Sequence, residues 1–235
     1  MDLTIQIPRP DDWHVHLRDG AMLDAVIGYT ANRFRYAMIM PNLTTPVSTV
    51  RQAERYRERI LRAASEQTSD FRPLMTLYCS SELDSSDLLF GHEAGIIKAV
   101  KYYPAGATTN STHGGNNILD FIELFEIMAE NNIPLLVHAE STDPEIDLFD
   151  REAAFLEGEL HPLCEQLPNL QVTVEHISTR AGVDFVLDYP HVAASVTPHH
   201  LSRNRSDLLT PEFHPDLFCK PIINSESDRQ AIVDI

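Results

Sequence analysis

Short apolar, β-rich runs alternate with helical patterns along nearly the whole chain. Extended runs fall at 13–17, 36–40, 73–79, 96–103, 134–137, 170–175 and 192–196. Between them lie stretches with apolar residues at helical spacing, over 22–32, 83–94, 147–167 and 181–188. The clearest follows Thr49, an N-cap candidate, with Val50, Ala53, Tyr56, Ile60 and Ala64 on one face. Ile118, Phe121, Ile122, Phe125 and Met128 mark another amphipathic helix. Ser225, with Asp228 three residues on, opens a last helix, the seventh by this count. Residues 105–115 form a long, polar, Gly-punctuated loop of the kind that serves as a lid. Residues 203–215 read as irregular and 218–223 as a short extended piece.

Apolar strands alternating with helices predict a parallel sheet with helices outside. An open doubly wound sheet would show a Gly-rich phosphate turn after its first strand. The chain has His-Val-His-Leu-Arg-Asp-Gly there instead, which favours a closed (β/α)8 TIM barrel as one domain over 1–235. Such a barrel needs eight strands, and the pattern supplies seven. The eighth is therefore expected to be missing, leaving strands one and seven each beside a gap.

The chain of 235 residues, 43% hydrophobic, can bury a substantial core. No apolar run approaches the ~20 residues of a membrane span. Met1-Asp2-Leu3-Thr4 lacks a basic region followed by an apolar one, so no export signal is expected. Cys79, Cys164 and Cys219 form no CxxC pair and are expected to be reduced thiols in the cytoplasm. Eighteen basic against thirty-five acidic residues give a net charge of −17, which argues against nucleic acid and anionic membranes as partners. An anionic substrate would need local positive charge.

The polar residues at strand ends carry the chemistry. His14 and His16, at i and i+2, are expected on one strand face, with Val15 opposed and Arg18 continuing the histidine side. Two solvated histidines at a strand end are the plainer reading. But strand two ends in Asn42, strand five in His138, strand six in His176 and strand seven in His199-His200. In a barrel these ends share one mouth. A buried, unpaired imidazole costs on the order of 1–3 kcal/mol, whereas neutral imidazole is a good Zn²⁺ ligand. Lys101 lies in an apolar strand facing the same mouth. Desolvation would lower its pKa, and the neutral amine can take up CO₂ as a carbamate that bridges two metals. A snorkelling lysine in a salt bridge is the alternative. Lys98 is expected on the opposite face.

Several segments together resemble dihydroorotases of the single-domain bacterial and fungal type, in the amidohydrolase superfamily. They are residues 9–20 around His14-Val15-His16, Met40-Pro41-Asn42-Leu43, residues 101–111, 135–140, Phe149-Asp150-Arg151-Glu152, Glu175-His176-Ile177, residues 196–201 and Cys219-Lys220-Pro221. The resemblance implies two Zn²⁺ ions. His14 and His16 would hold one and His138 and His176 the other, bridged by Lys101 as N6-carboxylysine and by a hydroxide. It implies reversible interconversion of N-carbamoyl-L-aspartate and dihydroorotate in pyrimidine biosynthesis, usually in a homodimer. Arg18 and Asn42 match substrate-carboxylate residues, Thr108 and Thr109 a mobile loop, and Lys220 main chain that meets the ring. The family's metal-binding, proton-shuttling aspartate ends the eighth strand and has no match here, so a chain of this length is expected to show little activity alone. A hydantoinase or dihydropyrimidinase shares HxH and the bridging lysine, but its neutral ring gives Arg18 and Asn42 no carboxylate to hold. A non-catalytic structural partner would be expected to have lost ligands.

Overall fold

Seven parallel strands line up in chain order in the computed structural model, which describes residues 4–67 and 70–235. They are β1 (Asp12–Val15), β2 (Tyr36–Ile39), β3 (Arg72–Tyr78), β4 (Ile97–Tyr102), β5 (Leu135–Val137), β6 (Val172–Val174) and β7 (Val192–Ala194). Among the described residues β1 pairs only with β2 and β7 only with β6. The sheet is thus the expected parallel barrel with seven strands, and among the described residues no eighth lies between β7 and β1. A cleft of about 800 Å³ opens at that gap, bordered by Asp12, His14, Met38, Leu136, Thr173 and Ala193. Residues 1–3, on which the expectation of no export signal partly rests, lie outside the described residues.

The strands divide the apolar residues into two cores by alternation. Met38, Met40, Ala99 and Leu136 pack with Leu74 as the inner layer. Ile39, Leu77, Val100, Val137 and Val174 join the larger core shared with the helices. Register runs Tyr78↔Lys101 and Lys101↔Leu136, so Lys101 stands one layer above Ala99 on the inner face. Lys98 sits at a register irregularity and is exposed.

Helix α1 (Gly20–Ala31) is capped by Asp19, whose side chain accepts from Gly20 N. Helix α2 (Val50–Ala64) follows the sequence expectation residue for residue. Thr49 and Gln52 form a reciprocal capping box, and Val50, Ala53, Tyr56, Ile60 and Ala64 are the buried positions. Helix α3 (Ser85–Glu93) is capped by Asp84. The helix expected from Ile118 begins as a 3₁₀ turn, Ile118–Phe121, and continues as α4 (Ile122–Glu130).

The single helix expected over 147–167 starts four residues later and runs without interruption over 151–166, with a π segment inside it. Residues 147–150 turn, with the Asp147 carboxylate accepting from Phe149 N. Then come α5 (Arg151–Phe155), a π-turn (Leu156–Leu160) around Gly158, and α6 (His161–Gln166). Helix α7 (Arg180–Asp188) is capped by Thr179. A short helix, α8 (Pro198–Ser202), precedes the stretch expected to be irregular, and that stretch holds another, α9 (Arg205–Leu209), with a capping box of Asn204 and Asp207. Residues 218–223 form no strand. The last helix, α10 (Glu226–Val233), has the expected Ser225–Asp228 capping box but is not the seventh.

Candidate functional site

The loop after β1 carries the first cluster. His14 faces into the barrel, and the strand ends a residue before His16. Arg18 does not continue the strand alternation as expected: its φ is +59°, so the chain turns there. Helix α2 fixes this turn from outside. The Tyr56 hydroxyl donates to Arg18 O at 2.7 Å, and Arg59 grips the Asp19 carboxylate through two bonds of 2.9 and 2.7 Å. Arg18 borders a cavity of about 720 Å³ with Arg55, Arg59, Thr45, Thr109 and Asn110. Its Nη1 is buried without a hydrogen-bond partner among the described residues.

His138 follows β5 and His176 follows β6, both buried. His176 takes φ +45°, an unusual backbone for a non-glycine residue and one seen at functional sites. Its amide donates to the Ser195 hydroxyl oxygen at 2.8 Å. The loop beyond it is held by Glu152 on α5. That carboxylate accepts from the amides and hydroxyls of both Ser178 and Thr179 at 2.6–3.0 Å. Burial pushes Glu152 up to about 7 despite those four donors.

The four histidines expected at strand ends meet in one cluster. Ring centroids lie 5.0 Å apart for His14 and His16, 5.0 Å for His14 and His176, and 4.7 Å for His138 and His176. His14 Nε2 faces His16 Nε2 at 3.1 Å, and His138 Nδ1 faces His176 Nε2 at 3.2 Å. Burial holds all four in the neutral form, with His16 pushed down to about 3. Lys101 is 0% exposed, and burial drives its pKa well below the ordinary lysine value. Its Nζ lies 3.4 Å from Glu175 Oε2, an oxygen that also contacts His14 Nδ1. One shared carboxylate oxygen at that distance does not offset complete desolvation of the ammonium.

Among the described residues no three His, Cys, Asp or Glu side chains form a metal-holding group. What converge are two pairs of neutral imidazole nitrogens, each pair spaced as two ligands of one ion would be. Facing lone pairs can otherwise be satisfied only by sharing a ring proton. Lys101 is buried at the same strand ends, its Nζ near the Glu175 oxygen that also meets His14. The paired neutral imidazoles fit a metal site on these grounds.

The remaining candidates border the cluster. Asn42 is buried at the end of β2; its Nδ2 donates to Thr109 O at 2.9 Å, and Asn110 Nδ2 donates back to Asn42 O at 3.1 Å. The 105–115 loop is thereby drawn over the mouth, with Thr109 exposed and Thr108 partly buried. Lys220 projects its side chain inward and pairs with Glu140 Oε1 at 2.5 Å. His199 and His200 lie on α8 rather than at a strand end. His200 is occupied with Thr197 Oγ1 and Pro221 O. Sequence reasoning passed over Glu140, Glu175, Tyr56 and Glu152 as working residues. Glu140 stands two residues after His138 on the same face, and Glu175 directly precedes His176, so position alone could have drawn attention to both.

A seven-stranded parallel barrel with this histidine and lysine cluster at the strand ends defines a metallohydrolase of the barrel class. The amidohydrolase family profile matches residues 10–204, and the chain belongs to that family. Within it the similarity is to dihydroorotases. The chain is 49% identical over 230 residues to a dihydroorotase from Chelativorans sp. (strain BNC1), covering 97% of this chain and 66% of the relative. A solved dihydroorotase from Campylobacter jejuni superposes with TM-score 0.89 at 36% identity, over 96% of this chain and 65% of that one. A Saccharomyces cerevisiae dihydroorotase solved with 5-fluoroorotic acid gives TM-score 0.85 at 31% identity, over 96% and 65%. The chain thus spans about two thirds of the length of the relatives it matches.

Proposed function

We propose that this chain serves as a zinc-dependent dihydroorotase, interconverting N-carbamoyl-L-aspartate and dihydroorotate in pyrimidine biosynthesis. The observation that carries the reading is the four-histidine cluster around buried Lys101, set beside Arg18 with a buried, unpartnered guanidinium nitrogen. His14 and His16 would hold one zinc and His138 and His176 the other. Lys101 would bridge them as N6-carboxylysine: its neutral amine nitrogen bonds to the carbon of CO₂ and gives up one proton. Burial that keeps the amine uncharged favours that step. When bound, two metals lower the pKa of a shared water toward neutrality and polarise the scissile carbonyl.

The other roles fall to the chain itself. Arg18 offers a planar, permanently charged donor pair to a substrate carboxylate. Asn42 Nδ2 donates one N–H to the Thr109 carbonyl and would offer its second N–H to a carboxylate. Asn42 therefore ties carboxylate binding to the closed position of the Thr108–Thr109 loop. Closure excludes water and orients the ligand. Lys220 would border the ring, steadied by Glu140. Proton return to the leaving nitrogen has no residue assigned to it within 1–235. No helix among the described residues is long and apolar enough to cross a membrane. A cytoplasmic homodimer completes the proposal.

Metal analysis and ligand binding test this reading together. The purified chain should bind two equivalents of zinc. It should also bind dihydroorotate at least 100-fold more tightly than neutral dihydrouracil, with Arg18→Ala abolishing the difference. Equal binding of the two rings would instead favour a hydantoinase-type enzyme.

A further inference from the structure

Each pair of facing imidazoles contains one ring whose outer nitrogen meets a buried carboxylate. In the first pair, His14 Nδ1 contacts Glu175 Oε2. In the second, His138 Nε2 contacts Glu140 Oε2 at 2.9 Å. The side chains of Glu175 and Glu140 are 1% and 3% exposed. The other ring of each pair meets no carboxylate among the described residues: His176 Nδ1 is buried without a hydrogen-bond partner there, and His16 has only the neutral Asn42 side chain beside it. The arrangement is repeated, one anchored and one unanchored histidine in each pair, although the anchored nitrogen is Nδ1 in one case and Nε2 in the other.

We propose that Glu175 and Glu140 are positioning residues that preset His14 and His138 in opposite tautomers, so that His14 Nε2 and His138 Nδ1 each present a lone pair to a metal before it arrives. The inference rests on the metal-site reading above. A carboxylate can only accept, so the ring nitrogen it meets must carry the proton. That leaves the inner nitrogen of each anchored ring as a lone pair aimed at its neighbour. The unanchored ring then donates across the gap in the metal-free protein, through His16 Nε2–H and His176 Nε2–H. Metal entry requires those two rings to move a proton to Nδ1, while His14 and His138 need no change.

The two anchors differ in support. Glu140 Oε1 is tied to Lys220 Nζ at 2.5 Å, so one carboxylate spans the histidine and the lysine that borders the proposed ring site. Glu175 is shared with Lys101 Nζ at 3.4 Å. Conversion of Lys101 to a carbamate would replace that uncharged amine by an anion beside Glu175. The His14 anchor would then depend wholly on the Nδ1–H bond, whereas the His138 anchor keeps its lysine. Loss of Glu175 should therefore weaken the first metal more than loss of Glu140 weakens the second.

Histidine ring ¹⁵N spectra of the metal-free 235-residue chain at pH 7.5 test the tautomers directly. His14 should be protonated at Nδ1 and His138 at Nε2; the reverse in either ring overturns the proposal. Zinc titration against a competing chelator gives the second readout. Glu175→Gln and Glu140→Gln should each weaken one of the two zinc sites by about 10–100-fold, the range for loss of such a partner, with the larger loss for Glu175→Gln. Two sites of unaltered affinity in both variants would overturn it. Circular dichroism and thermal unfolding show whether a variant has lost its fold, in which case the spectra of the unaltered chain decide. Failure of the unaltered chain to bind zinc, with the tautomers as stated, would sink the functional reading while leaving this inference standing.

Discussion

Glu152 illustrates how a single residue far from the chemistry can hold a site in place. It contributes no atom to the histidine cluster. It receives four hydrogen bonds from Ser178 and Thr179, the two residues that lead from His176 into α7. Gly182 approaches the same carboxylate so closely that a Cβ there would lie 2.7 Å from Glu152 Oε1. Replacing Glu152 by Ala strands four donors in a dry pocket. Each unmade bond costs on the order of 1–3 kcal/mol, partly relieved by water entering the space. Glu152→Ala should destabilise the chain by more than about 3 kcal/mol, read as a fall in chemical denaturation midpoint. A loss under about 1 kcal/mol would show that the His176 loop is held by other contacts, such as the His176 amide to Ser195. The sequence marked Glu152 only as part of a matching segment, because its partners lie 26 and 27 residues away and no local spacing points to them.

At the scale of elements, what was readable depended on whether a pattern was local. Helix α2 was legible in full because its cap, its repeat and its burial all reside within sixteen residues. The helix expected over 147–167 is present over 151–166, but apolar spacing is blind to the turn at Asp147 that delays its start and to the π segment around Gly158. Helices α8 and α9, five residues each, are too short to show a periodicity, although the Asn204–Asp207 cap was there to be read. For the site, the histidines and Lys101 were legible because barrel topology carries every strand end to one mouth. The turn at Arg18 was not, since it depends on Tyr56 and Arg59 of a later helix. The 105–115 loop shows the same split. Its Gly punctuation announced a shaped loop, but the reason for one glycine is visible only in three dimensions. A Cβ on Gly114 would sit 2.1 Å from Tyr103 O, with Tyr103 C and Ala105 N also within 3.1 Å. These are backbone atoms next to the Pro104–Gly115 bridge and cannot rotate aside. Gly114→Ala should displace the loop from Asn42, lowering stability by about 1–3 kcal/mol and weakening dihydroorotate binding more than zinc binding. Equal loss of both would place the loop's role in the fold and not in ligand closure.

For the molecule as a whole, a −17 chain gathers its scarce positive charge where an anion would enter. Arg18, Arg55 and Arg59 line one cavity, and Lys220 pairs with Glu140 beside His138. The same concentration of buried basic groups fixes how stability responds to pH. His14, His16, His138 and His176 are all held neutral by burial, with His16 at about 3, and His200 is pushed down to about 4. In the unfolded chain these rings take up protons near 6.5. Between that value and their folded pKa values the unfolded state binds more protons, so stability is complete above 6.5 and is lost as pH falls below it. Each ring contributes a slope of up to about 1.4 kcal/mol per pH unit in that window. Glu152 works in the opposite direction: its pKa, raised to about 7, adds stability below 4.5 that is lost as pH rises through 7. Burial also lowers the pKa of His199 and raises those of Asp12 and Glu159, and six imidazoles against three carboxyls leave the histidines in control. With zinc removed by chelator, the melting temperature should therefore fall steadily from pH 7 to pH 5. Saturating zinc should steepen the fall, because the metal binds only neutral imidazole and adds its own stabilisation above the same window. Thermal unfolding at half-unit pH steps, with and without zinc, gives both curves. A chelated chain that melts at the same or a higher temperature at pH 5 than at pH 7 would show that the four rings are not held neutral together, and the metal-site reading would lose its physical basis.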